Sequence, residues 1–209
     1  YNFETESHTF LCNYITTHNC DIATGRGNDY TGIHIYNLET HEQVAEIKTK
    51  VDIETLKTII ELLIDYYDNP KLSLEANGLG EAVANYFSET VQYENLYYTR
   101  KSKNVYIPGF YVTAGNRGNM LATMQTMMAR EEIKINSERL LNELRLLEYK
   151  SNGRVEACKG SNDDLVMAFA QYCYLVQASF FVSDSVLEGN SVYGHLIREE
   201  KAKEEQKQR

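Results

Sequence analysis

No apolar run in these 209 residues approaches the length needed to cross a bilayer, and the first residues carry no secretory pattern. The chain is therefore read as soluble, with no membrane partner. Cysteine is scarce: Cys12, Cys20, Cys158 and Cys173 form no C-x-x-C pair and keep no regular spacing. That argues against a disulfide framework or a zinc site, and a reducing cytoplasm fits better. The histidines His8, His18, His34, His41 and His195 are scattered as well. Positive charge is short, with 21 Lys and Arg against 30 Asp and Glu, for a net charge of −9. Such a balance argues against a generic nucleic-acid coat. It leaves room for an enzyme with one local basic face and with acids kept for a metal. There is no G-x-x-x-x-G-K-S/T loop: TGRGND (24–29) lacks the lysine and the following hydroxyl. No P-loop motor is encoded here.

What is present is an ordinary globular composition, in a chain long enough for one sizeable domain with appendages. The sequence opens without Met and is expected to be a piece of a longer product. TGIHIYNL (31–38) and EQVAEIKTK (42–50) both alternate and predict a β-hairpin. IETLKTIIELLIDYY (53–67) puts Leu56, Ile59, Ile60, Leu63 and Tyr67 on one helical face, and Asn69-Pro70 ends it. A buried strand at 71–76, a helix at 78–89 and a strand at 95–99 follow. Next come a glycine-rich loop at 108–119 and a methionine-rich helix at about 119–131. A brief strand at 132–136 and a helix at 137–149 are expected after it. RVEACKG (154–160) reads as a last strand or turn, and DDLVMAFAQYCYLVQ (163–177) as a strongly apolar helix. This order predicts an α/β fold with a mixed sheet flanked by helices. Beyond about Ser183 the pattern dissolves into the charged stretch REEKAKEEQKQR (198–209), read as a solvated, flexible tail.

Several acids fall where elements stop. Asp21 precedes the turn Thr-Gly-Arg-Gly-Asn, Glu75 ends KLSL, and Asp163 with Asp164 opens the last helix. Acids so placed converge on one edge of a sheet, where open α/β folds bind ligands. Clustered carboxylates repel one another unless a cation joins them, and hard oxygen ligands suit Mg²⁺ or Mn²⁺. A helix start also favours the ionised forms of Asp163 and Asp164. Each acid has a plainer use too, Asp21 as a turn former and Asp163 and Asp164 as a helix cap. Glu75, after the buried Leu72 and Leu74, needs some partner.

Three pieces carry a resemblance: D-x-A-x-G-x-x-x-D-Y (Asp21 to Tyr30), L-x-L-E-x-N-G-x-G (Leu72 to Gly80) and S-N-D-D-L-V-M-A-F-A (Ser161 to Ala170). Over about residues 20–180 the sequence resembles the C-terminal nuclease domain of terminase large subunits from tailed phages. That resemblance implies an RNase H-like fold and two-metal cutting of double-stranded, concatemeric DNA with Mg²⁺ or Mn²⁺. It makes Asp21, Glu75 and Asp163 the catalytic, metal-binding triad, with Asp164 and Asp29 as supporting metal-site acids. Asn162 stands where the family often has His, so Asp163 and Asp164 both stay open as the direct ligand. Arg26, Lys101, Lys103 and Arg117 are the expected DNA contacts. Portal protein and small terminase subunit are implied partners, and the cytoplasm of an infected bacterial host is the implied location. Another RNase H-like nuclease, a resolvase or transposase, is the nearest alternative.

The first residues, YNFETESHTFLCNYITTHNC, look different. E-x-H-x-F around His8 and N-Y-I-T-T-H-N from Asn13 to Asn19 resemble the last two blocks of inteins. That resemblance makes Asn19 the residue that cyclises, with His18 and His8 assisting, and Cys20 the first host residue and thiol nucleophile. The division it implies is 1–19 intein remnant, 20–182 nuclease domain and 183–209 tail. Splicing would need an N-terminal intein fragment as partner, since the intein's own N-terminal block is absent. The chain then reads alternatively as an intein C-terminal fragment with the nuclease as cargo. Within this chain, ITTHNCDIA is expected to stand in as a first strand against GIHIYN.

Overall fold

The computed structural model describes residues 14–18, 30–151 and 154–177. The expected hairpin forms from β2 (Thr31–Asn37) and β3 (Glu42–Thr49), antiparallel with Ile33 opposite Ile47. Asn37 closes its turn by accepting from the amides of Glu39 and Thr40. β1 (Tyr14–His18) pairs antiparallel with β2, Thr16 opposite His34. It also runs parallel to β4 (Lys71–Leu74), giving the sheet order β3-β2-β1-β4. The stand-in pairing of the ITTH segment with GIHIY is thus realised, and in the interior of the sheet.

β2 is buried almost throughout because both of its faces are covered. Ile33 and Ile35 join the cluster built on Leu56, Ile60 and Ile64 of α1 (Ile53–Tyr66). Tyr36 joins the opposite cluster, around α5 (Asp164–Gln177). α1 starts at Asp52, whose carboxylate accepts from Thr55 N at 2.9 Å. It ends before Asp68 and Asn69, both at positive φ, and Pro70. The predicted face is right, with Ile64 added: Leu56 and Ile60 are fully buried, while Ile59, Leu63 and Tyr67 pack at its margin.

Beyond β4 the expected strand at 95–99 is split. Tyr97 N donates to Leu72 O and Phe110 N to Leu74 O, so two short pieces share the next position in the sheet. Between them an excursion leaves the sheet as the hairpin β5 (Tyr98–Ser102) and β6 (Val105–Pro108). Gly109, at φ +80, lets the chain return: a Cβ there would lie 2.7 Å from Leu74 O. The helix expected at 78–89 is α2 (Gly80–Asn85) continued by a π-helical turn over Tyr86–Thr90.

The glycine-rich loop is shorter than the sequence suggests. α3 (Ala114–Ala129) begins five residues early, because Thr113 and Asn116 form a reciprocal capping box. The helix runs through Gly115 and Gly118, and the apolar side of Met120, Leu121, Met124 and Met127 holds it down. The segment 132–136 makes a single bridge, Lys134 with Glu42, rather than a strand. α4 (Glu138–Arg145) stops short of 149, since Leu147–Tyr149 form β7 and pair with β8 (Val155–Ala157). α5, buried from Asp164 to Cys173, packs against β1, β2 and α3. Gln171 ties it to β4 by donating to Ser73 Oγ at 2.7 Å. Among the described residues no helix is long and apolar enough to cross a membrane.

Candidate metal centre

β1 and β4 are parallel, so their carboxyl ends reach the same edge, with Thr17 opposite Leu74. β2 starts at that edge, where Gly32 faces His18. Glu75 follows β4 directly and is 8% exposed. α5 delivers its first turn to the same edge, and Gly32 is what admits it. A Cβ on Gly32 would stand 3.0 Å from Asp164 O and 3.2 Å from its carbonyl carbon. A side chain there would push the first turn of α5 outward by a few tenths of an ångström, because the atoms it meets are backbone.

The two acids of the DDLVMA segment have different surroundings. Asp164 is 3% exposed. Its Oδ2 accepts from Tyr30 N at 3.2 Å and from Asn162 Nδ2 at 3.0 Å. Lys48 Nζ lies 3.8 Å away and also pairs with Glu143 of α4. The other oxygen of Glu143 accepts from Leu165 N at 2.9 Å, and so satisfies the start of α5. Burial pushes the Glu143 carboxyl up, against the pull of Lys48 and those amides. The Lys48 ammonium also lies over the Tyr30 ring, 4.7 Å from its centre. Asp163, by contrast, is an ion-pair partner of Arg117, whose Nη2 donates to its Oδ2 at 2.8 Å. The two side chains are 29% and 34% exposed. An ion pair that open to water is worth about 1 kcal/mol at most.

Asp21, Asp29, Arg26, His8, Asn19 and Cys20 lie outside the described residues. His18 is placed only as the last residue of β1. Lys101 is on β5 and Lys103 in the turn after it, both exposed. Arg117 is half-buried and pairs with Asp163. The oxygen donors Glu75 and Asp163 suit a hard cation in kind. Among the described residues, however, no three His, Cys, Asp or Glu side chains are placed to hold one. Neighbouring strands are about 4.8 Å apart, so β2 and β4 stand roughly 10 Å apart at this edge, with the exit of β1 between them. The described donors fit a metal as part of a set, and the sequence leaving β1 leads to Asp21.

Sequence reasoning missed Lys48, Glu143 and Gly32, which act only through partners distant in the chain. It also missed a signal that was legible. From Asn95 to Arg130 there is not one Asp or Glu, while Arg100, Lys101, Lys103, Arg117 and Arg130 are all basic. In a chain of net charge −9, that stretch is locally basic. It contains the β5–β6 hairpin and the start of α3.

No protein-family model and no curated protein matches the sequence. Solved structures do match. The large terminase nuclease of thermophilic phage G20c with bound cobalt aligns at 15% identity with a TM-score of 0.58, covering 76% of this chain and 78% of that one. The magnesium-bound form of the same nuclease gives 0.56 at 15% identity over 80% and 93%. The human cytomegalovirus terminase nuclease domain gives 0.56 at 15% identity over 82% and 86%. The chain therefore has the mixed α/β, RNase H-like fold of these terminase nuclease domains. The intein resemblance has no counterpart among these matches.

Proposed function

We propose that this chain is the nuclease domain of a phage DNA-packaging terminase large subunit, a metal-dependent endonuclease acting on double-stranded, concatemeric DNA. The observation that carries the reading is the meeting of Glu75 and the start of α5 at the one sheet edge where β1 also ends. The terminase-nuclease fold supports it. Asp21, Glu75 and Asp163 are the residues that would hold two Mg²⁺ or Mn²⁺ ions, with Asp29 beside them. Such ions supply an activated water and neutralise the leaving oxygen of a phosphodiester. Of the paired acids, Asp163 is the better ligand, because Asp164 is already committed to Tyr30, Asn162 and Lys48. Asp164 then acts as a support, fixing the turn from which Asp163 reaches. Arg26, Lys101, Lys103 and Arg117 meet backbone phosphates, which positions DNA without reading its sequence.

The test is plasmid nicking in Mn²⁺, with Asp21→Ala, Glu75→Ala and Asp163→Asn beside wild type. Loss of a ligand is expected to cost at least about 100-fold in rate, since even 1 Å of misalignment costs that much. If the variants cut like wild type, the assignment is wrong. Portal protein and small terminase subunit are the proposed partners, in the cytoplasm of an infected bacterium.

A second reading concerns residues 1–19, proposed as the end of an intein whose His8, His18, Asn19 and Cys20 serve splicing with an N-terminal intein fragment. The fold adds a consequence. Cleavage after Asn19 would carry away β1, so the upstream host segment joined to Cys20 must supply a replacement strand between β2 and β4. Mass spectrometry after mixing with an N-terminal intein fragment tests the cleavage itself.

A further inference from the structure

Arg117 has two claims on it. The basic stretch assigns it to DNA, yet its guanidinium donates to Asp163 at 2.8 Å. We infer that Arg117 is a latch exchanging between two anions: Asp163 in the free protein, and a backbone phosphate of duplex DNA once a divalent cation takes the carboxylate. The inference rests on the nuclease reading and adds a regulation to it, in which metal and DNA favour each other's binding through one side chain.

Three features of the site carry the inference. Asp164, next in the chain, is held by a backbone amide, an amide side chain and Lys48, so the start of α5 stays in place without Arg117. The backbone under Arg117 is equally fixed, by the Thr113–Asn116 capping box and by Asn77, which holds both Val112 N and Val112 O at 2.8 Å. Only the Arg117 side chain therefore has to move. The pair it leaves is about one third exposed on both sides, the condition in which ion pairs exchange readily. The destination is chemically apt as well, because the guanidinium fork matches phosphate as well as it matches carboxylate.

The test uses the full chain and two binding measurements, neither of which requires cleavage. Mn²⁺ affinity without DNA is read from the paramagnetic resonance of the free ion. Affinity for a short duplex in EDTA is read by fluorescence anisotropy. Arg117→Gln removes the competitor for Asp163 and is expected to tighten Mn²⁺ binding about fivefold, the low end of ordinary coupling between sites. Asp163→Asn releases Arg117 and is expected to tighten duplex binding in EDTA by a similar factor. That gain should vanish in the Arg117→Gln/Asp163→Asn double variant, whereas a gain from merely removing a negative charge would persist. If Asp163→Asn weakens Mn²⁺ binding but Arg117→Gln leaves it unchanged, the latch is wrong and the metal reading stands. If Asp163→Asn leaves Mn²⁺ binding unchanged, the metal reading falls and takes the latch with it.

Discussion

His34 joins four elements through one neutral ring. Its Nε2 donates to Leu165 O at 2.9 Å and its Nδ1 accepts from Gln43 Nε2 at 2.7 Å. The other end of Gln43 accepts from Asn136 N and Ser137 N at the start of α4. β2, β3, α4 and α5 are so fixed around the first turn that presents Asp163. Burial pushes the His34 pKa from 6.5 down to about 4. Between those values the unfolded chain takes up a proton that the native chain refuses. The stability His34 contributes is therefore whole above pH 6.5 and drains as pH falls toward 4, by up to about 3 kcal/mol. Urea unfolding from pH 7 to pH 5 should show a falling midpoint, and His34→Gln should flatten that slope. A wild-type midpoint that does not move would refute the account. Nothing in the sequence marked His34, because its neighbours Gln43 and Leu165 are brought to it by the fold.

The β5–β6 hairpin is the element whose purpose is least explained by packing. It leaves the sheet between the partners of Leu72 and Glu75 and presents Arg100, Lys101 and Lys103 to solvent. Such an element gives up little stability when its charges are removed, since exposed substitutions away from caps and cores cost within about 0.5 kcal/mol. Lys101→Gln/Lys103→Gln should thus melt like wild type yet bind duplex DNA less tightly. The slope of log affinity against log salt should become shallower by roughly 2, close to 0.9 for each phosphate no longer neutralised. An unchanged salt slope would remove the hairpin from the DNA-facing surface. The segment was read from sequence as one strand followed by a loop. Its bend back at Gly109 depends on the closeness of Leu74 O, which no local pattern records.

At the scale of the molecule, two apolar clusters lie on the two faces of one sheet, and β1 is the strand on which that sheet closes. Its neighbours β2 and β4 have no other pairing with each other. Deleting residues 1–19 would unpair both facing edges and take Ile15 out of the first cluster. That loss is set against a margin of only about 5–15 kcal/mol for a typical domain. The truncated chain is therefore expected to lose its cooperative thermal transition in circular dichroism. A retained sharp transition would show that another segment fills the gap, or that the sheet tolerates it.

The hairpin, the face of α1, the apolar character of α5 and the order of acids from Asp21 to Asp164 are legible in the chain alone. These are local quantities, written as period, cap and spacing. Where α3 begins is not legible there, because Thr113 and Asn116 outweigh two glycines only once the methionine face has something to cover. Nor does the chain alone distinguish Asp163 from Asp164. They are adjacent and alike in sequence, and they differ only in what the fold sets beside them: Tyr30, Asn162 and Lys48 for one, Arg117 for the other. A carboxylate's role is fixed by the charges and amides within a few ångströms of it, and Tyr30, Lys48 of β3 and Arg117 of α3 come to these acids from distant chain positions.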